Sequence, residues 1–246
     1  MDLRTLDALR RILAPLDLRP LLWVVDGDHL RGFDGPGSPV TVHGIHREAL
    51  GAALGEGRRL FALTVDLLDE GLTVRVRSED RDRTARRLLA GDGRVLETLH
   101  SPFVLAGDDE AAAIRGVARG FVTRKYPTFC LREADRAARA LSGESPRGLR
   151  ALPRLFRALL AGLHVLGTGG VEPDLRRLAR WNGAAWLTRL AATPFRSSAA
   201  SDPAFLEFLL GEAAALRDAL VSALPASRLP DAPGPEAVAA LDRWRG

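Results

Sequence analysis

Cysteine is almost missing from this sequence, and its scarcity excludes two kinds of site. Cys130 is the single cysteine in 246 residues, so the chain can form no internal disulfide and no cysteine-rich metal site. A lone thiol is typical of proteins in a reducing compartment, and we therefore expect a cytoplasmic protein.

Long apolar runs are also missing. No stretch reaches the ~18 apolar residues that a membrane-spanning helix needs, so we expect no membrane partner. Residues 1–20 carry acids among the leucines and lack the basic start, apolar centre and cleavage site of a secretory signal. Hydrophobic residues still make up 46% of the chain, which is enough for one full core or two small ones.

Lysine occurs once, as Lys125, and every other basic side chain is an arginine. The net charge of +4 and the isoelectric point near 10.3 are values that often accompany nucleic-acid binding. The arginine usage and the abundant alanine indicate a GC-rich coding bias, and the positive charge is spread along the chain. The charge alone therefore does not establish a nucleic-acid partner.

The N-terminal part of the chain alternates short strands with helices. Leucine and isoleucine recur at helical spacing in residues 2–14 and predict a first helix. An Asp-Glu-Gly turn joins two of the predicted strands as a hairpin. Two helices follow, separated by the Gly91–Gly93 break and ended by Pro102. The predicted strands are 21–25, 39–46, 60–68 and 72–77.

The rest of the chain is predicted to be helical. We expect one or two helices in 109–141, interrupted at Pro127, and a linker at 144–148. A further helix ends at the glycine turn 167–170, and the last predicted helices are 204–224 and a short one after the proline-rich stretch 227–235. These patterns predict an α+β protein, with an α+β domain at 1–105 and a helical domain at 106–246.

A glycine-rich loop follows the first predicted strand. Four glycines lie between Gly27 and Gly37, and then come Ser38 and an alternating strand. A strand, a glycine-rich turn and a second strand can be a plain β-turn that binds nothing. The same layout can let backbone N–H groups approach a triphosphate. The spacing alone leaves both interpretations open.

The loop resembles that of the polymerase-β-type nucleotidyltransferases, in particular the predicted nucleotidyltransferases of RNA-repair operons. Those proteins carry Gly-Ser-(x)3-Gly-(x)3-Pro-x-Ser-Asp-x-Asp-(x)2-Gly, and this chain matches at Gly27, Gly32, Pro36, Ser38 and Gly44. The resemblance implies a polymerase-β-like core, a short mixed sheet with flanking helices, followed by a helical C-terminal region. In the family, the two aspartates and a third on a neighbouring strand hold the divalent metal that bridges the phosphates.

Four more segments resemble the family in order and spacing, so the resemblance runs in pieces over nearly the whole chain. They are RRLLAGDGRVLETLHSP (86–102), FVTRKYPTFC (121–130), LRALPRLFRALLAGLHVLGTGG (149–170) and SRLPDAPGPEAVAALDRWR (227–245).

The family's functional positions are degenerate in this chain. Asp28 replaces the serine of the phosphate cradle and would repel the ligand. The two aspartates fall on Pro39 and Thr41, and the third falls on Arg75, which strand alternation places on one face with Arg77. Without carboxylates and with two guanidiniums, the site is expected to have no catalytic residue, no metal and no cofactor.

Relocated acids are the alternative. Asp26 and Asp28 share a side if the first strand extends to them, and a rebuilt Mg²⁺ pair there would give an active enzyme that transfers NMP from an NTP. Asp-Gly pairs are also ordinary turn chemistry. The acids near the loop or the third strand are Asp26, Asp28, Asp34, Asp66, Asp69 and Glu70.

Arginines of the helical region are candidate triphosphate contacts by the same resemblance. Arg150, Arg154 and Arg157 fall at the Lys, His and Arg positions of the family's helical motif, and their spacing predicts one helical face. A solvated basic face is the alternative, and Pro153 could leave Arg150 outside the helix. The expected nucleotide-binding residues are Gly27, Ser38, Arg75, Lys125, Arg150, Arg154 and Arg157.

Other candidate groups have structural interpretations. His43 and His46 are three apart on a strand and point to opposite faces, so they are not expected to share a metal. We expect them to have surface or packing roles, and Cys130 to be a buried thiol.

The resemblance and its departures together predict a nucleotidyltransferase-family pseudoenzyme. It would be the partner of an active relative, a homo-oligomer, or a binder of a nucleotide or RNA end. The alternatives are an active, Mg²⁺-dependent nucleotidyltransferase and a purely structural subunit.

Overall fold

The computed structural model describes residues 1–15, 20–34, 38–47, 62–69, 72–141, 151–184, 186–187 and 203–245. The chain divides into two units that each pack mainly within themselves. The first is Met1–Leu30, Pro36–Phe121 and Pro233–Gly246, and the second is Arg31–Gly35 and Val122–Ala232.

The first unit is built on a five-stranded mixed sheet with the strand order β3-β4-β2-β1-β5. Strands β2 and β4 are parallel, and the other neighbouring pairs are antiparallel. The predicted α+β class and mixed sheet are confirmed, and each of the four predicted strands is present. The strands are β1 Pro20–Asp26, β2 Val40–His46, β3 Ala62–Asp69, β4 Leu72–Asp80 and β5 Val104–Ala106.

Helices surround this sheet and make up the second unit. The first unit contains α1, α3, α4, α5 and α10, the second contains α6 to α9, and α2 ends where the chain passes into the second. The helices are α1 Leu3–Leu13, α2 Gly27–Arg31, α3 Arg81–Ala90, α4 Gly93–Leu99, α5 Asp108–Arg119, α6 Lys125–Leu141, α7 Leu152–Thr168, α8 Leu175–Trp181, α9 Pro203–Ala223 and α10 Pro235–Arg245.

The units differ from the predicted domains 1–105 and 106–246 because two later helices pack on the first unit. Helix α5 packs on β1 and β5, and α10 packs on α3 and α5. The indole N–H of Trp244 donates to Glu110 at 3.0 Å, and Leu241 is fully buried. The domains themselves, as parts that fold independently, stay a prediction.

Local chemistry explains the break between α3 and α4. Gly91 ends α3 in the left-handed conformation, at φ 76°. Asp80 and Asp92 begin the two helices, since each carboxylate accepts a backbone N–H of the first turn. Gly93, which we expected within the break, is the first residue of α4.

The predicted interruption at Pro127 is wrong. The break lies between α5 and α6, at 120–124, and Pro127 is the third residue of α6. A proline in the first turn removes an N–H that would have no helical partner, so the helix continues through it. By contrast, α7 begins at Leu152, one residue before Pro153, and its glycine end at Gly169, φ 73°, matches the prediction. The linker 144–148 and most of the hairpin turn lie outside the described residues.

One face of the sheet packs on α1, and the alternation of the strands leaves a second face for polar residues. The polar members of this second face include Thr41, Arg75, Arg77 and Glu79, which alternate with core residues along β2 and β4. The core on the α1 face consists of Leu9, Ile12, Leu13, Trp23, Val25, Val40, Val42, Val74, Val76 and Leu105.

The second unit has α7 at its centre, packed between α6 and α9. Gly162 lets the helices approach closely, because a Cβ there would lie 2.8 Å from Leu220 and 3.3 Å from Cys130. Cys130 is fully buried, as expected. Among the helices that the structure describes, none is long and apolar enough to cross a membrane.

Candidate functional site

A row of four polar residues crosses the second face of the sheet. Asp66 of β3 is paired in register with Arg75 of β4, Arg75 with Thr41 of β2, and Thr41 with Asp26 of β1. The resemblance puts the second and third metal acids at Thr41 and Arg75. The structure brings these two positions side by side, as a shared metal site would require.

Arg75 is hydrogen-bonded to the carboxylate of Asp66, its neighbour in this row. Its Nε donates to Asp66 Oδ1 at 2.8 Å and its Nη2 to Oδ2 at 3.0 Å, so the pair is bidentate. These hydrogen bonds lower the pKa of the Asp66 carboxyl below its ordinary value. The side chains are 39% and 54% exposed, which keeps the pair accessible from solvent.

The residues of this row do not fit the metal site that the resemblance implies. The carboxylates of Asp26 and Asp66 stand at opposite ends, three strand spacings or roughly 14 Å apart, whereas one Mg²⁺ holds oxygens at about 2 Å. Pro39 has no ligand atom on its side chain and Arg75 brings positive charge. In the described part of the chain, no three His, Cys, Asp or Glu residues form a group that could hold a metal ion.

Gly27 lies against Thr41, the third residue of the row. Its φ is +69°, and a Cβ there would lie 2.8 Å from Thr41 Oγ1. Glycine is therefore required at the start of α2 because the backbone turns there and touches the strand. Asp28, next along α2, is partly buried, and so is Ser38 just before β2.

The other family-matching glycines within the described residues also have packing reasons. A Cβ at Gly32, where φ is +75°, would lie 2.7 Å from Asp174 Oδ1. A Cβ at Gly44 would lie 2.2 Å from the ring of Trp23 on the neighbouring strand. The glycine pattern thus has a structural cause that does not depend on a phosphate, and Pro36 lies outside the described residues.

The predicted basic contacts are divided between the two units. Arg75 lies in the first, and Lys125, exposed at the start of α6, lies in the second. On α7, Arg154 is exposed but Arg157 is only 4% exposed, so these two do not form a fully solvated basic face. Arg150 lies outside the described residues.

A buried acid that sequence reasoning missed lies on the same face of the sheet. Glu79 is 4% exposed, and both its oxygens accept from Arg87 Nη1, at 2.9 and 2.8 Å. Thr84 donates to it at 3.2 Å, and His43 Nε2 and Arg83 Nε lie 3.5 and 3.4 Å from its oxygens. The sequence signal is an acid followed by arginines at the fourth and eighth positions after it, where a strand passes into a helix.

The charge of Glu79 is strongly stabilised. Burial raises the pKa of its carboxyl, but hydrogen bonds and charges from His43 and Arg87 outweigh burial and bring it to about 2. An acid that stays ionised and surrounded by donors is suited to a structural role rather than to proton transfer. His43 lies beside this acid, 3.5 Å from it, and its expected surface or packing role stays a prediction.

His46 lies on the α1 face, opposite to His43, so the two histidines point apart as predicted. It is 1% exposed, and its Nδ1 lies 2.7 Å from Ser78 Oγ. Burial lowers the pKa of His46 below its ordinary value, and the negative charges of Asp80 and Glu79 only partly oppose this.

This shift predicts how stability depends on pH. Unfolded His46 takes up a proton near pH 6.5, whereas folded His46 resists protonation. The contribution of His46 to the free energy of unfolding is therefore complete above pH 6.5 and is lost as the pH falls below that value. Denaturant titrations at a series of pH values should show that the free energy of unfolding depends less on pH in His46→Gln than in the unchanged protein. Equal slopes in the two proteins between pH 7 and 5 would contradict the assignment to His46.

No family model matches the sequence, and no curated protein matches it. Among solved structures, the chain is similar to the crystal structure of a nucleotidyltransferase-like protein from Exiguobacterium sibiricum. The sequence identity is 13% and the TM-score is 0.38, and the match covers 90% of this chain and 75% of that one. This likeness is too coarse to transfer residue roles from one chain to the other.

Proposed function

We propose that this protein is a nucleotidyltransferase-like pseudoenzyme that binds the phosphate of a nucleotide or RNA end without metal. The observation that carries the proposal is Arg75, a guanidinium beside Thr41 where the resemblance implies the third metal acid. Arg77 is exposed on the same face, two residues further along β4. Cations in place of carboxylates favour direct contact with an anion.

Guanidinium chemistry fits a phosphate. The planar fork of Arg75 already binds two carboxylate oxygens of Asp66, and a phosphate presents oxygens at comparable spacing. Asp66 is half exposed and can turn away, so it would act as an internal competitor for the ligand. The affinity should therefore depend on both members of the pair and should fall with salt.

The active-enzyme alternative receives less support from the described acids. Asp66 is held by Arg75, and Asp34 binds Arg176 at 2.7 Å. Asp26 lies at the opposite end of the row from Asp66, three strands away. This alternative needs Mg²⁺, and the proposed function does not.

Substitutions of Arg75 and of Asp66, the two members of the ion pair, are predicted to change the affinity for the ligand in opposite directions. Arg75→Ala should weaken the binding of ATP and of a 5′-phosphorylated RNA oligonucleotide by roughly 10- to 100-fold, since a charged hydrogen bond contributes about 1.5–3 kcal/mol. Asp66→Ala should strengthen binding because it releases the guanidinium. The measurement is calorimetric titration in EDTA, and the matched control is Arg4→Ala, an exposed arginine on α1.

Other results would overturn the proposal. Label transfer from an NTP that requires Mg²⁺ and disappears in Asp26→Ala, Asp28→Ala or Asp66→Ala would show an active enzyme. Equal affinities in Arg75→Ala and Arg4→Ala would show that the phosphate does not bind on β4. If neither ATP nor RNA binds, a partner or structural subunit becomes the better explanation.

A further inference from the structure

Two buried polar side chains lie on residues paired in register at the end of the β2–β4 pair. His46 is 1% and Asp80 is 5% exposed, and the two residues are partners in register on the α1 face. Within the described part of the chain, Nε2 of His46 and Oδ2 of Asp80 are buried and have no hydrogen-bond partner. Unsatisfied buried groups are rare in proteins, and two of them on residues paired in register call for a common cause.

Neither side chain is free to move towards the other. The imidazole is held at Nδ1 by Ser78 Oγ, 2.7 Å away. The carboxylate begins α3, because its Oδ1 accepts the backbone N–H of Arg83 at 2.6 Å. A direct contact between Nε2 and Oδ2 would require one residue to give up a short hydrogen bond, and an Asp80 shift would also remove the cap of the helix.

A water molecule can act as the hydrogen-bond partner of both atoms, because it both donates and accepts. If Nε2 carries the ring proton, water accepts from it and donates to Oδ2. If Nδ1 carries the proton, water donates to both Nε2 and Oδ2. Both tautomers are therefore satisfied by one molecule with two polar partners, the minimum for a buried water. A metal ion would need further ligands, and the described residues offer no third His, Cys, Asp or Glu here.

We propose that a single internal water is bound between His46 Nε2 and Asp80 Oδ2. It joins the end of β2 to the first turn of α3, the helix whose Arg87 binds Glu79 on the opposite face of the sheet. The site is separate from the Arg75 row and does not depend on the proposed phosphate binding.

The direct test is a high-resolution crystal structure of the full chain. Electron density within hydrogen-bond distance of both atoms is the expected result. Direct contact between Nε2 and Oδ2, or a gap that shows no density, would overturn the proposal.

A solution test uses the carbon-bound ring protons of His46, which flank Nε2 in either tautomer. In the unchanged protein, they should show cross-relaxation with a long-lived water in NMR spectra. Asp80→Ser keeps a helix-capping oxygen but removes Oδ2, so the signal should be lost. The control is Asp2→Ser at the exposed start of α1, where Asp2 caps the helix in the same way and the signal should remain.

A water signal that persists unchanged in Asp80→Ser would contradict the proposed partner. Should that variant fail to fold, Asp80→Asn keeps the shape of the side chain. Its crystal structure should then show the same water rearranged around an amide, whereas a gap without density would again count against the site.

Discussion

Replacing Glu79 with glutamine is expected to lower the free energy of unfolding at pH 7 by about 3 kcal/mol, because it removes one partner of a buried ion pair. Arg87 would lose the carboxylate that it binds through both oxygens, and His43 and Arg83 would lose the nearby negative charge. Arg87 keeps Asp92 at 2.9 Å, so the loss is smaller than for a guanidinium left with no partner. Denaturant titration measures the change.

The same variant should reveal the pKa of Glu79 through its pH dependence. The carboxyl titrates at about 2 in the folded protein against 4.5 ordinarily, so its stabilising contribution is complete above pH 4.5 and is lost as the pH falls towards 2. The difference in the free energy of unfolding between the unchanged protein and Glu79→Gln should therefore shrink as the pH falls from 4.5 towards 2. A difference that stays constant from pH 7 to 3 would contradict the role of the charge.

The exposed pair of the same sheet provides the control. Asp66→Asn breaks a bidentate contact with Arg75, but both side chains are largely solvated. Exposed pairs contribute less than about 1 kcal/mol, so this variant should lose far less stability than Glu79→Gln. If both variants lost the same amount, burial of Glu79 would not explain its effect.

Elements with a clear periodicity were predictable from the sequence, and the exceptions have physical causes. The helix α1 and the strands β2 to β4 repeat their apolar residues at helical or strand spacing, and β1 is a short continuous apolar run. By contrast, β5 has three residues, too few to show a period, and it is defined by pairing with β1 rather than by composition. Proline inside an apolar repeat predicts a helix break at Pro127, but a proline in the first turn is compatible with a helix.

The contacts of the candidate site were not predictable from the sequence, and the site itself stays a prediction. The resemblance implies acid positions at Thr41 and Arg75, and the strand register pairs these two residues. The capture of Arg75 by Asp66 depends on the antiparallel register of β3 and β4, which alternation within one strand cannot give. The contacts around Glu79 likewise depend on how α3 packs on the sheet, and the residue pattern within a single segment does not predict that packing.

Gly44→Ala is expected to destabilise the protein by about 3 kcal/mol or more, because the new Cβ would lie 2.2 Å from the Trp23 ring. Trp23 is 3% exposed and sits among core residues on the α1 face, so the ring has no space into which to turn. Thermal and denaturant unfolding would measure the loss. Trp23→Phe in the same chain should recover part of it, since the smaller ring lacks the clashing atoms, and the recovery would show that the two sites are coupled.

The matched control is Gly116→Ala, which adds the same methyl group within α5 where nothing lies within 4 Å. It should stabilise the protein by about 0.5–1 kcal/mol, since alanine favours a helix interior over glycine. Comparing the stabilities of Gly44→Ala and Gly116→Ala tests why a glycine is present at position 44. A severe loss at Gly44 would explain its match by packing against Trp23, and the proposed phosphate contact would then rest on Arg75 and Arg77. If Gly44→Ala were as well tolerated as Gly116→Ala, packing would not explain the glycine, and a ligand approaching β2 would become the better reason for it.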